Sequence, residues 1–154
     1  MKITFVQIGG TIDKDYPQGL SDHGYAFHIG EPATIEILER ATPLFSFDVV
    51  RHMQKDSLDM TDEDRQGIRE LVASLDTDKV ILTHGTDTIG LTAETLSGIK
   101  DKTIVLTGAM MPERFRESDA DFNLGMAVGA VQKLPHGVYV ALHGMLHTWE
   151  EFNG

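Results

Sequence analysis

The sequence contains no cysteine, which excludes disulfide scaffolds, thiolate zinc sites and cysteine nucleophiles together. It is also short of positive charge: 13 Lys and Arg stand against 24 Asp and Glu, a net charge of −11 with His neutral. That deficit argues against a nucleic-acid backbone or an anionic membrane surface as partner. No apolar run approaches the ~18 residues of a membrane-spanning helix. Neither G-x-G-x-x-G nor a Gly-Lys-Ser/Thr phosphate loop occurs, so two familiar marks of nucleotide binding are missing. Repeats at solenoid periods and low-complexity tracts are missing as well. The opening run Met1-Lys2-Ile3-Thr4-Phe5-Val6-Gln7-Ile8 has one basic residue and no small-residue cleavage site. It reads as a first strand rather than a secretory leader, and a cytoplasmic location is expected. The 154 residues suit one ordinary domain.

What is present is an alternation of short apolar runs with helical patterns. Strands are expected at Ile3–Ile8, Phe45–Arg51, Lys79–Thr83, Thr103–Thr107 and Val138–Leu142. Most are almost continuously apolar, as strands of a parallel sheet covered on both faces are. Glu31-Pro32 opens one helix, with Ala33, Ile37 and Ala41 four apart. Thr61-Asp62-Glu63-Asp64 has the form of a capping box and precedes the stripe Ile68, Leu71, Val72, Leu75. Another helix begins after Asp87-Thr88 with Ile89, Ala93 and Leu96, and a last one runs from about Ala120 to Leu134. That last helix carries Leu124, Ala127, Val128 and Val131 on one face and Phe122, Met126 and Ala130 on another. Either a second body or a wholly internal position would account for it. The alternation predicts an α/β three-layer sandwich, a mostly parallel sheet with helices on both faces. In such sheets ligands sit at the carboxyl ends of the strands.

Two of those ends share a design. The first strand runs into Gly9-Gly10-Thr11-Ile12 and the third into His84-Gly85-Thr86-Asp87-Thr88. Each sets a threonine hydroxyl directly after a glycine that permits close backbone approach. Lys55-Asp56-Ser57-Leu58-Asp59-Met60 adds a hydroxyl among carboxylates after the second strand, and Thr107-Gly108-Ala109-Met110 leaves room after the fourth. Singly each has an ordinary explanation: a turn, a backbone-bonded threonine, or Asp87 as a helix cap.

In this order and spacing the four segments, with Ser118-Asp119-Ala120-Asp121-Phe122-Asn123-Leu124, resemble the amino-terminal domain of the bacterial-type L-asparaginase family. The resemblance covers essentially the whole chain. It implies hydrolysis of the side-chain amide of L-asparagine or a close analogue, without a cofactor. Thr11 matches the family's nucleophile, whose neutral hydroxyl needs a proton relay. Tyr25 is the best positional match for the relay tyrosine, with Tyr16 as rival; both lie in a stretch, Asp13–Ile29, suited to a lid. Thr86 and Asp87 match the second site, Asp87 facing the substrate ammonium, and Ser57 would meet its carboxylate. Gly10, Leu58, Gly85 and Ala109 complete the expected substrate lining.

Two departures follow from the resemblance. The lysine of the family's second triad, carried forward without gaps, falls on Gly154, and no Lys follows Lys133. Lys55, Arg114 and Arg116 are the cations available in its place. The family's carboxy-terminal domain is unmatched, so one domain over 1–154 is expected, and self-association into a homo-oligomer. The alternative function is a non-catalytic amino-acid-binding or partner-binding module that kept the clamp. A third is an amidase acting on a larger glutaminyl-bearing substrate.

A metal site is the competing constellation. His143 and His147 are spaced to share an ion on a helix. Gly144 between them disfavours a helix and the glutamate of H-E-x-x-H is lacking, so the segment reads as a strand end and polar tail, in subunit contact with Trp149 and Phe152. The acidic run Asp56, Asp59, Asp62, Glu63, Asp64 lacks the glycine and glutamate offsets of a calcium loop.

Overall fold

Side chains alternate across a strand, so a strand apolar at every position needs cover on both faces. The computed structural model, which describes residues 1–16 and 27–154, provides that cover. In chain order the elements are β1 (Lys2–Gly9), β2 (Lys14–Asp15), β3 (His28–Ile29), α1 (Ala33–Ala41), β4 (Ser46–Lys55), α2 (Asp62–Ser74), β5 (Lys79–Thr83), α3 (Ile89–Leu96), β6 (Thr103–Thr107), α4 (Ala120–Lys133), β7 (Gly137–Leu142), β8 (Met145–Thr148) and α5 (Trp149–Asn153). One sheet has the order β4-β1-β5-β6-β7-β8. All its pairs are parallel except β7 with β8.

The two faces are separate cores. Ile3, Phe5, Ile81, Val105, Tyr139 and Ala141 pack under α1 and α4 with Leu38, Leu124, Ala127 and Val131. Their strand neighbours Val6, Ile8, Val80, Leu82, Ile104, Leu106, Val138 and Val140 pack under α2 and α3 with Ile68, Val72, Ala93 and Leu96. This is the expected three-layer sandwich. Of α4, the face bearing Ala120, Leu124, Ala127 and Val131 is buried on the sheet, while Phe122, Gly125 and Gly129 are exposed.

Three differences from the sequence expectation have physical causes. β4 begins at Ser46 and continues past Arg51 to Lys55, because pairing with β1 carries on to Gly9↔Lys55. As the outermost strand it is half-exposed, so its last residues are polar and escape an apolar-run reading. β8 is a strand, not a tail. His143 and Gly144 (φ 54° and 76°) form a two-residue turn that returns the chain along β7. Finally, Trp149 and Phe152 pack within this chain, against the core beneath α3. α5 is started by a capping box between Thr148 and Glu151 and tied down by Asn153 Nδ2 on Gly90 O at 3.0 Å.

The expected capping box on α2 is formed: the Thr61 hydroxyl accepts from Asp64 N at 3.1 Å and Asp64 Oδ2 from Thr61 N at 2.9 Å. Thr61→Ala is expected to cost about 1 kcal/mol, lowering Tm by roughly 2–4 °C in a chain of this size; thermal denaturation followed by far-UV circular dichroism checks it.

Candidate active site

In an open doubly wound sheet the ligand crevice lies where the strand order reverses. Here the chain steps from β1 to β4 on one side and then to β5 on the other, so the crevice lies beyond β1 and β5. The turns that meet there are Gly9-Gly10-Thr11 and His84-Gly85-Thr86. Gly10 is buried at φ 84°, its N–H on Lys55 O at 3.0 Å. A β-carbon on Gly10 would collide with the backbone of Gly85. A β-carbon on Gly85 would stand 2.7 Å from Ser57 Oγ. The loops after β1, β4 and β5 thus touch through positions that hold only hydrogen. Thr11 follows one of these glycines and Thr86 the other, so this close backbone approach brings the two threonines to the same crevice.

The side chains around this contact are unusually free. Thr11 is half-buried and opens a 3-10 turn, Thr11–Asp13. Among the described residues Thr86 Oγ1 has only Met110 Sδ, at 3.8 Å. Asp87 is exposed and, among the described residues, makes no hydrogen bond or ion pair; Thr88, not Asp87, occupies the N-cap of α3. Ser57 is 1% exposed and its hydroxyl has no partner among the described residues. Ala109 is buried at the end of β6, and Leu58 is 72% exposed. Tyr25 lies outside the described residues. Tyr16 stacks on Phe115 (centroids 5.4 Å) and meets Phe27 edge-on (5.2 Å), in an aromatic cluster beside the β2–β3 ladder.

None of the three cations considered in place of a lysine is shown on Thr86. Lys55 Nζ pairs with Asp64 Oδ2 at 2.7 Å. Arg114 binds Glu36 Oε1 (2.6 Å) and the carbonyls of Asp13 and Glu31 (3.2 and 3.1 Å), bracing the base of β2–β3. Arg116 is exposed.

Sequence reasoning missed three residues that shape the crevice. Asn123 is buried; its Nδ2 donates to Gly108 O at 3.0 Å and its Oδ1 accepts from His143 N at 3.2 Å, joining the ends of β6 and β7. His84 is fully buried: Nδ1 meets Gly85 O at 2.7 Å and Nε2 meets Thr92 Oγ1 at 2.7 Å. A carbonyl can only accept, so Nδ1 carries the proton and Thr92 donates to Nε2. Burial pushes the imidazole down to about 4, so it is neutral. Asp13, two residues beyond Thr11, is fully buried as well. It accepts from Ala33 N at 2.7 Å, at the start of α1, and from Gln7 Nε2 at 3.1 Å. Burial raises its carboxyl to about 6 despite those bonds. An i, i+2 pairing of a nucleophile candidate with an acid carries no sequence signal of burial.

An apolar groove of ≈ 360 Å³ between α1 and α4, lined by Ile37, Leu38, Phe45, Leu124 and Val128, lies on another face. Arg40 and Asp121, also on its walls, are paired with each other at 2.7 Å, and Arg40 with Glu113 at 2.7 Å as well. Among the described residues no cluster of metal-ligating groups occurs, and His143 and His147 sit on a hairpin rather than a helix. No helix among the described residues is long and apolar enough to cross a membrane.

The chain as a whole is similar to known proteins. The family model described as "Asparaginase, N-terminal" matches residues 2–151. A glutaminase-asparaginase from Acinetobacter glutaminasificans is 30% identical over 136 residues, 82% of this chain and 40% of that protein. L-asparaginase 1 of Escherichia coli is 36% identical over 85 residues, 52% of this chain and 25% of that protein. Among solved structures, the thermostable L-asparaginase from Thermococcus kodakarensis superposes with a TM-score of 0.81 at 27% identity, covering 97% of this chain and 46% of that chain. The chain therefore spans less than half the length of these relatives.

Two predictions follow from the packing. Gly85→Ala drives a methyl into Ser57 and is expected to destabilise by roughly 1–3 kcal/mol, read by urea unfolding. The second concerns pH. Between about 4 and 6 the folded chain holds a proton on Asp13 that the unfolded chain releases, so this group's contribution falls as pH rises. In the same window the unfolded chain protonates His84 and the folded chain does not, so His84 contributes the opposite slope. Removing one exposes the other: from pH 4 to 6.5 the unfolding free energy of Asp13→Asn should rise relative to the wild type, approaching about 3 kcal/mol.

Proposed function

Because this chain belongs to the asparaginase family, we propose that it hydrolyses the side-chain amide of L-asparagine or a close analogue. The supporting observation is the three-loop contact of Gly10, Gly85 and Ser57, which gathers the two threonines and an unpartnered buried hydroxyl at the crevice. In this reading Thr11 Oγ attacks the amide carbon. Its proton passes by way of the Tyr25 hydroxyl to the leaving nitrogen, which departs as ammonia and leaves an ester on Thr11. Water attacks that ester from the side of Thr86, restoring the Thr11 hydroxyl and releasing the carboxylate product. The exposed carboxylate of Asp87 holds the substrate's α-ammonium, and Ser57 Oγ–H donates to its α-carboxylate. Backbone N–H groups of the two Gly-Thr turns are the donors for the oxyanion.

A second reading is favoured by one observation. Thr86 Oγ1 meets a thioether and, among the described residues, no ammonium or guanidinium. A binding module that keeps the clamp without turnover would look like this. We also infer a homo-oligomer. Phe122 (65% exposed) lies over Gly144, its ring 3.5 Å from where a β-carbon on that glycine would stand, and Met145 is exposed on the same hairpin, an apolar surface suited to a second copy.

Ammonia release from L-asparagine is the direct test. Thr11→Ala and Thr86→Ala should each reduce kcat by on the order of 10³ or more; undiminished turnover in both removes the hydrolytic assignment. A rise in Tm with L-aspartate but no ammonia selects the binding reading. Light scattering should show a dimer or larger, and a monomer would refute the self-association.

A further inference from the structure

Arg65 lies in the first turns of α2, in the run Asp62-Glu63-Asp64-Arg65, where an arginine would ordinarily be solvated. Instead it is 5% exposed. Its Nη2 donates to Thr88 Oγ1 at 3.1 Å, and Thr88 Oγ1 in turn donates to the carbonyl of Ser57 at 2.8 Å. Nη1 reaches Met60 O at 3.5 Å. The guanidinium therefore grips both ends of the short turn Ser57–Asp59, one through Thr88 and one directly. Its charge is poorly neutralised. The one carboxylate paired with it among the described residues is Asp62, at 3.4 Å and fully in solvent, where water screens the attraction. Its Nε is buried without a partner among the described residues. A buried cation that lacks a buried counter-ion is costly unless an anion completes it. The next hydroxyl along this chain, Ser57 Oγ, is likewise buried and unpartnered.

We propose that Arg65, acting through Thr88, is the positioning and specificity-determining residue that makes the Ser57 turn select a substrate bearing a free α-carboxylate. The inference rests on the reading of Ser57 as the carboxylate contact. It adds the source of the positive potential there, which Ser57 itself, being neutral, does not supply. Arg65 touches no substrate atom; it fixes the Ser57 carbonyl, and so the direction of the hydroxyl, and lends the turn its charge.

The test compares L-asparagine with L-asparaginamide, whose α-carboxylate is replaced by a neutral amide, in the wild type, Arg65→Gln and Arg65→Lys. Arg65→Gln should raise KM for L-asparagine roughly tenfold with kcat little changed, and should leave the poorer kcat/KM for L-asparaginamide within about twofold. Arg65→Lys, which keeps the charge, should recover much of the loss. Equal losses on both substrates, or a fall in kcat alone, would make Arg65 a merely structural residue and overturn the proposal. Calorimetric binding of L-aspartate needs no turnover and separates the two readings. A wild type that binds L-aspartate about tenfold more tightly than Arg65→Gln does, yet releases no ammonia, sustains this assignment while removing the hydrolytic one. A wild type that does not bind L-aspartate refutes it.

Discussion

The crevice depends on a backbone contact with no room for a side chain. Gly10 rests on Gly85, and Gly85 on Ser57, at distances that exclude even a methyl group. Two parallel strands, β1 and β5, deliver the first pair, and the half-exposed edge strand β4 delivers the third. The sheet's double cover is what makes those deliveries rigid. The strands are buried on both faces by α1 with α4 and by α2 with α3, so their ends are fixed relative to one another. The geometry of the crevice is in this arrangement a property of the sheet, inherited by the loops.

Around that contact the chain buries three ionisable groups, and each is managed differently. Asp13 is held by a helix N-terminus and an amide, His84 is kept neutral by burial, and Arg65 has the carboxylate paired with it, Asp62, in solvent. The first two have opposite proton linkages over the same pH window, so their effects on folding offset each other. The third has no such counterweight, and that sets it apart from the structural pair.

Much of the architecture was legible because its causes are local or periodic. Continuous apolar runs gave β1, β5, β6 and β7, and the Thr61 capping box placed the start of α2 correctly. The Gly-Thr turns were legible as places of close contact between the ends of β1 and β5, because glycine before a hydroxyl at a buried strand's terminus is itself a packing demand. The hidden features are those decided by tertiary burial. Arg65 sits among Asp62, Glu63 and Asp64 and reads as a solvated helix start, and nothing in its neighbours says that Thr88 and Met60 will enclose it. β8 and the tail of β4 were obscured because each lies at a margin of the sheet, where one side is wet and polarity no longer reports on strand character. The sequence signal for β8 was the glycine-bearing turn His143-Gly144, and for α5 the Thr148/Glu151 pair.

The position of β4 at the sheet's margin has a consequence for solubility. Ten residues of strand, Ser46–Lys55, end the ladder on that side and offer unpaired peptide groups, a template on which another molecule's strand could add. The template is guarded by salt links: Asp48 is held by Lys2, Arg51 by Glu31 and Lys55 by Asp64. An incoming strand would have to dehydrate these pairs along its whole length, and the register shift of β4 against β1 between Arg51 and Lys55 breaks the ladder's regularity at one end, so both disfavour fibrous stacking and keep the sheet finite without a proline in the strand.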